Sequence, residues 1–226
     1  MSLPANVGDA GPLGLLGGTF DPIHLGHLRL AEEAREALGL EKVRLIPAGQ
    51  PPHRGKPGST AEDRLAMARL AAAGNPALEV DDSEVREPRP SYTVPTLERL
   101  RAEVGPQRPL VLILGADAFA GLPGWHRWEA LFELAHIAVA NRPGHSPHER
   151  RWPATLSPEL DEACRGRLNR APVKLDTPAG KVIPFDMTPL AISASLVRDL
   201  LHAGASARYL LPDSVLDYIG LHHLYR

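Results

Sequence analysis

The stretch Leu13 to Leu30, LGLLGGTFDPIHLGHLRL, limits what this chain can fold into more than any other part of it. A short apolar run over Leu13 to Leu16 reads as a buried strand. Gly17 and Gly18 follow, where a backbone without side chains can turn tightly and let a phosphate come close. After Thr19, Phe20, Asp21 and Pro22 come His24 and His27, with Gly26 between them, and helical periodicity begins at about that point. Residues three apart at a helix start share a face, so both imidazoles can reach one pocket. The helix N-terminus adds unpaired N–H groups and a partial positive charge. Strand, glycines and helix start together suit an anionic, phosphate-bearing ligand. A Gly-Gly pair can be only a turn, and His-x-x-His can bind metal, but a metal would need further ligands. The single Cys164 and the other histidines supply no second cluster at such spacing, so no metal ligand is assigned.

Downstream, Leu28 to Leu38 places Leu28, Ala31, Ala34 and Leu38 near one helix face, with Gly39 as a stop. Val43 to Ile46 reads as a second strand ended by Pro47. Strand, helix and strand form the unit of a parallel sheet, whose right-handed crossover puts the glycines at the C-terminal edge, where ligands of open α/β sheets bind. The Pro- and Gly-rich stretch Ala48 to Ser59 leaves that edge carrying His53, Arg54 and Lys56. It is either a solvated loop or a ligand contact. Thr60 caps a helix over Ala61 to Ala73, a short strand follows at Leu78 to Val80, and a charged stretch runs to Arg89. Ser91-Tyr92-Thr93 precedes a helix over Val94 to Val104, with Thr93 read as its cap.

Pro109 to Leu114 is the most apolar short run and reads as a central strand. It leads into Gly115 and Asp117, a carboxylate that can accept from ribose hydroxyls or simply cap the next helix. Trp128, at helical spacing from Leu131, reads as core, whereas Trp125 after Pro-Gly can stack on a flat ring. His136 to Ala140 is another strand, and Arg142 after it can pair with a phosphate. Residues 145 to 180 read as a solvated loop with a helix near Glu159 to Leu168. Val182 to Phe185 is the last strand. Ser193 caps a helix reaching about His202, and a final helix covers Leu211 to Tyr218. The expected fold is α/β: a Rossmann-like parallel sheet with helices on both faces and a small helical C-terminal part from about residue 187. Residues 1–12 are expected to be a disordered tail, and 13–226 a single domain.

Net charge is near neutral, formally −2 over 226 residues, so nothing global favours nucleic acid or a membrane surface. One cysteine cannot close an intrachain disulfide. No run approaches the roughly 20 apolar residues of a membrane span, and the N-terminus lacks a signal-peptide pattern. The expectation is a soluble, cytoplasmic protein.

Gly17-Gly18-Thr19-Phe20-Asp21-Pro22-Ile23-His24-Leu25-Gly26-His27 resembles the N-terminal signature of the HxGH nucleotidyltransferase superfamily. Ile192-Ser193-Ala194-Ser195-Leu196-Val197-Arg198 resembles its second motif, with Ser195 where close relatives usually carry threonine. Pro51-Pro52-His53-Arg54, Pro90-Ser91-Tyr92-Thr93, Gly115-Ala116-Asp117-Ala118 and Pro123-Gly124-Trp125 narrow the resemblance to bacterial nicotinate-nucleotide adenylyltransferases. The resemblance covers most of residues 13–219. It implies ATP contacts at Gly17, Gly18, Thr19, Phe20, His24, His27, Gly115, Asp117, Ile192, Ser193, Ser195 and Arg198. It implies mononucleotide contacts at Ala48, His53, Arg54, Tyr92, Thr93, Trp125 and Arg142. His24, His27 and Arg198 are the expected catalytic residues.

The chemistry implied is attack by a phosphate monoester oxygen on the α-phosphorus of ATP, expelling pyrophosphate. That nucleophile is already anionic near neutral pH, its second pKa being about 6, and needs no strong general base. Catalysis is then positioning and charge stabilisation. Mg²⁺ is implied as a cofactor, held mainly by the ATP phosphates and water. The resemblance makes nicotinate mononucleotide the acceptor. Two rival readings are a sister adenylyltransferase taking nicotinamide mononucleotide or phosphopantetheine, and a nucleotide sensor without catalysis. A class I aminoacyl-tRNA synthetase fragment would need a basic RNA-binding module that the chain does not display.

Overall fold

The structure, a computed structural model, describes residues 10–52, 55–141 and 156–226. The first strand, β1 (Leu13–Gly18), is followed by α1 (Leu25–Leu38), β2 (Lys42–Pro47), α2 (Ala61–Ala72) and β3 (Leu78–Val80). A short helix, α3 (Ser83–Arg86), and then α4 (Thr93–Val104) precede β4 (Leu110–Gly115). After α5 (Ala116–Ala120), two 3₁₀ turns (Leu122–Gly124 and Trp128–Ala130) and α6 (Leu131–Leu134) comes β5 (His136–Asn141). The remainder is α7 (Pro158–Cys164), β6 (Val182–Asp186), α8 (Ala194–His202) and α9 (Asp213–Leu221).

The strands form one sheet in the order β3-β2-β1-β4-β5-β6. β2 with β3, β1 with β4, β4 with β5 and β5 with β6 all pair in parallel. This is the doubly wound order, in which the chain starts centrally, builds outward, then returns to build the other side. β4 pairs on both sides, and Leu110 to Leu114 are all buried. A strand covered on both faces has no use for polar alternation, which is why this run is continuously apolar.

By its contacts the chain forms two compact units, interleaved in sequence. The first runs up to Leu15 and includes Ala34–Lys42 and Tyr92–Met187; the second is Leu16–Glu33, Val43–Ser91 and Thr188–Arg226. In the first, β4, β5 and β6 carry the buried core with Leu97 and Leu100 of α4. The half-buried Arg101 guanidinium there gathers the carbonyls of Gly105, Arg108, Leu134 and Pro178. Most of the expected N-terminal tail lies outside the described residues. Within it, Gly11 accepts from Arg108 Nε and Pro12 from the Glu41 N–H, both at 2.9 Å.

In the second unit α2 packs against α9, with the Tyr218 hydroxyl donating to Asp63 at 3.0 Å. Thr60 caps α2 as expected, within a capping box closed by Asp63. Other expectations shift. The stretch before Arg89 contains α3, and the expected helix near Glu159 to Leu168 ends at Cys164. Trp128 is half-buried rather than core, its ring meeting Phe132 edge-on at 6.1 Å.

Candidate active site

His24 stands just before α1 and His27 in its first turn. The imidazoles stack, with centroids 3.7 Å apart at 28°, and Phe20 meets His27 edge-on at 5.0 Å. The backbone N–H of His24 donates to Nδ1 of His27 at 3.3 Å. An Nδ1 that accepts leaves the ring proton of neutral His27 on Nε2. His24 is buried, and burial pushes its imidazole down to about 4. Its own Nδ1 is buried with no partner among the described residues. A Cβ on Gly26 would stand 3.0 Å from that nitrogen and 3.6 Å from the Ile192 carbonyl oxygen, so the glycine between the histidines makes room for the His24 ring.

Two expectations about this turn need correction. Gly17 and Gly18 do not turn; both lie in β1, and neither has a positive φ. The left-handed residue is Phe20, with φ 51°. A Cβ on Gly18 would meet the Phe20 ring at 2.9 Å, while Gly17 has open space around it. The pair therefore admits an aromatic ring on one residue and leaves bare backbone on the next. The helix N-terminus is also less open than the pattern implied. Leu25 N–H donates to the Leu210 carbonyl at 2.9 Å, and the N–H groups of His27 and Leu28 bond to His24. Gly26 keeps its N–H without a protein acceptor among the described residues.

Asp21 is the residue that sequence reasoning missed. Its buried carboxylate accepts from the Gly58 N–H at 2.7 Å, Ser59 Oγ at 2.6 Å and the Tyr225 hydroxyl at 2.7 Å. Arg198 Nη1 donates to the Asp21 backbone carbonyl at 2.7 Å and lies 3.8 Å from Oδ2. Arg198 Nη2 reaches Ser195 Oγ at 3.3 Å. Ser193 caps α8, accepting from the Leu196 N–H at 3.1 Å, which aims the first turn carrying Ser195, with Arg198 just after it. The two motifs, far apart in sequence, are thus joined directly through Asp21 and Arg198. Nothing in the local pattern distinguishes Asp21 from an ordinary turn aspartate.

A second missed residue is Arg64, whose side chain is among the most deeply buried in the described chain. Its guanidinium donates to the carbonyls of Thr19 (2.7 Å), Ala48 and Gly49 (2.9 Å), tying the segment after β1 to the segment after β2. Burial lowers its pKa, opposed chiefly by Asp21. A signal was present: Arg64 shares the helix face of Met67 and Ala68, both fully buried. Ala48 also donates its N–H to Gly18 at 2.9 Å, and Ser91 Oγ accepts from the N–H groups of Gly49 and Gln50.

Of the remaining expected residues, Gly115, Asp117, Tyr92, Thr93 and Trp125 lie in the first unit. Gly115 is the N-cap of α5, and Asp117 is exposed in its first turn, so Asp117 is not the cap. Tyr92, not Thr93, occupies the N-cap position of α4, with no side-chain cap bond; Thr93 is already the first helical residue. The Tyr92 ring lies 4.8 Å from that of His126, tilted by 38°. Trp125 is half-buried, its backbone N–H donating to the Leu122 carbonyl at 2.8 Å, and Arg127 nearby is left-handed and paired with Glu98 at 2.8 Å. His53, Arg54 and Arg142 lie outside the described residues. Among the described residues no group of three or more His, Cys, Asp or Glu side chains could hold a metal ion, and no helix is long and apolar enough to cross a membrane.

Residues 15–200 match the cytidylyltransferase-like family. A protein of Dechloromonas aromatica named as a probable nicotinate-nucleotide adenylyltransferase is 58% identical over 215 residues, 95% of this chain and 98% of its own. A relative of the same name from Pseudomonas putida is 49% identical, over 95% and 94% of the two chains. Among solved structures, the Plasmodium falciparum nicotinic acid mononucleotide adenylyltransferase complexed with NaAD superposes with a TM-score of 0.71 at 16% identity. That match covers 95% of this chain and 97% of the other, and is a likeness of fold.

Proposed function

The chain belongs to the cytidylyltransferase-like family, among the nicotinate-nucleotide adenylyltransferases, and from that premise we propose that it transfers AMP from ATP to nicotinate mononucleotide. The products are nicotinate adenine dinucleotide and pyrophosphate, a step in making NAD, and the cytosol is the compartment this reading implies. The observation that carries the residue assignments is the stacked pair His24 and His27 in the same unit as an Arg198 held by Asp21.

The acceptor's phosphate oxygen attacks the α-phosphorus, the bond to the bridging oxygen breaks, and pyrophosphate leaves with that electron pair. No protein base is needed, since the acceptor phosphate is already ionised near neutral pH. In the free protein burial lowers the His24 pKa to about 4, so the imidazole that first meets the phosphates is uncharged. His27, accepting at Nδ1, donates through Nε2–H. Fixed charge is supplied by Arg198, with the Ser195 hydroxyl beside it, on the β- and γ-phosphates and the departing pyrophosphate. The bare backbone at Gly17, with Gly18, Thr19, Phe20, Ile192 and Ser193, lines the triphosphate side. Gly115 and Asp117 serve the ribose; Ala48, Tyr92, Thr93 and Trp125, with His53, Arg54 and Arg142, serve the mononucleotide.

Both Asp21 carboxylate oxygens already accept hydrogen bonds, and no acidic cluster stands among the described residues. These residues suit a magnesium ion carried in on the triphosphate rather than one held by protein ligands. When bound, Mg²⁺ offsets phosphate charge.

The test is pyrophosphate release from ATP and Mg²⁺ with nicotinate mononucleotide, nicotinamide mononucleotide and phosphopantetheine offered in parallel. Strong preference for the first is expected. Preference for another acceptor would overturn the substrate assignment, and no release with any would overturn the transferase reading.

A further inference from the structure

We propose that Tyr225, the penultimate residue of the chain, is a positioning residue for catalysis, holding Arg198 in place through the Asp21 carboxylate. The proposal rests on the adenylyltransferase reading, in which Arg198 binds the triphosphate.

Three oxygens form a tight triangle: Asp21 Oδ1 to Ser59 Oγ is 2.6 Å, Asp21 Oδ1 to Tyr225 Oη is 2.7 Å, and Ser59 Oγ to Tyr225 Oη is 2.9 Å. The two hydroxyls bring two protons, and both are best used on the charged acceptor. Asp21 Oδ1 is thereby saturated by neutral donors, while Oδ2 accepts from the Gly58 N–H. A carboxylate so occupied has little need of a cation. The separation from Arg198 reflects that: Nη1 stands 3.8 Å from Oδ2 but 2.7 Å from the Asp21 carbonyl oxygen. The arginine is oriented by the backbone of Asp21 and by Ser195, without being captured by the Asp21 side chain. Its Nε has no partner among the described residues, and its side chain is 31% exposed, so part of the guanidinium stays available to an anion.

The tyrosine itself is firmly placed. It is 5% exposed, in a left-handed conformation with φ 58°, and its carbonyl lies 2.8 Å from Nδ1 of His202 on α8, the helix that carries Arg198. Its ring and the Arg198 stem press on the same glycine: a Cβ on Gly58 would stand 3.1 Å from Tyr225 Cε1 and 3.4 Å from Arg198 Cδ. Burial, with the Asp21 hydrogen bond adding to it, raises the phenol pKa far beyond its ordinary range, so the hydroxyl remains a donor throughout the working pH range. Removing that one oxygen leaves Asp21 Oδ1 a donor short in a buried place. A compensating donor is at hand in Arg198, whose Nη1 lies 3.8 Å from Oδ2, and it would turn from the phosphates toward the carboxylate.

The decisive experiment is a double-mutant cycle with Tyr225→Phe and Arg198→Lys, measuring steady-state kinetics for each substrate and calorimetric binding of Mg-ATP. Tyr225→Phe alone should lower kcat/KM for ATP about tenfold, the scale of one hydrogen bond to a charged group, with KM for nicotinate mononucleotide little changed. In the Arg198→Lys background the same change should have less than about a twofold effect, because the group it acts through is gone. Equal losses in both backgrounds, or equal rises in KM for both substrates, would mean that Tyr225 only supports the fold, and the proposal would be overturned. If Tyr225→Phe does not fold, Ser59→Ala removes the other hydroxyl donor to Oδ1 and carries the same cycle with the same outcomes. A wild-type protein inactive with every acceptor would instead sink the adenylyltransferase reading. The Mg-ATP affinities across the cycle would still decide the role of Tyr225.

Discussion

Replacing His24 by asparagine should remove a pH dependence from the protein's stability. The His24 ring is buried against His27, and its pKa falls from the ordinary 6.5 to about 4 because burial penalises the charged form. In the unfolded chain the imidazole titrates near 6.5. Between those values the unfolded chain binds a proton that the native state refuses, so this contribution is complete above about pH 6.5 and is lost as pH falls toward 4. At about pH 5 the unfolded imidazole is nearly all charged and the folded one about one-tenth charged. Linkage then gives a loss of roughly 2 kcal/mol relative to about pH 7.5, and roughly 3 kcal/mol once both states are protonated. Urea unfolding of wild type and His24→Asn at those two pH values measures it, provided the slope m is unchanged. The wild type should lose about 2 kcal/mol more than the variant. His136, also buried and lowered in pKa by burial, titrates in both proteins and cancels in the difference. Equal losses in the two proteins would refute the claim that the fold holds His24 neutral, and with it the reading of His24 as an uncharged donor to phosphate.

Arg64→Met should cost about 3 kcal/mol or more, because three carbonyls lose one charged donor; a melting temperature lowered by roughly 10 °C is expected, and a shift within about 2 °C would count against the guanidinium as the tie between these segments. Gly17→Ala adds a Cβ into open space, so melting should hardly move while KM for ATP rises about tenfold; unchanged ATP kinetics would mean no phosphate passes this backbone. Trp125→Ala should raise KM for nicotinate mononucleotide about tenfold, the scale of one lost ring stack, and leave KM for ATP alone; the reverse pattern would remove Trp125 from the nicotinate pocket.

Local punctuation was legible at Thr60, Ser193 and Gly39, where its physics is local. Thr60 and Ser193 cap helices through bonds to residues three positions on, and the backbone at Gly39 turns left-handed, φ 60°, just after α1. The apolar run of β4 marked a strand paired on both sides, and the alternation of strands and helices marked a parallel sheet. The stacked histidines were legible for the same reason, since three-residue spacing at a helix start brings rings together whatever lies around them.

The chain's pattern could not say how its buried charges would be satisfied. Gly17 and Gly18 looked like a turn, but Phe20 takes the left-handed conformation, and Gly18 is needed because a ring two residues on folds back over it. Arg64 looked like one more charge on a helix; burial made it a hub for carbonyls from two other segments. Asp21 and Tyr225 are bonded at 2.7 Å across a separation of 204 residues. A buried carboxylate must find donors wherever the fold brings them, and no local pattern records which distant hydroxyl arrives. By itself the sequence determined the order of elements and the motifs that carry the chemistry. Only the tertiary structure decided which neutral partners occupy Asp21, and thereby that Arg198 is steered by backbone rather than captured by the carboxylate beside it.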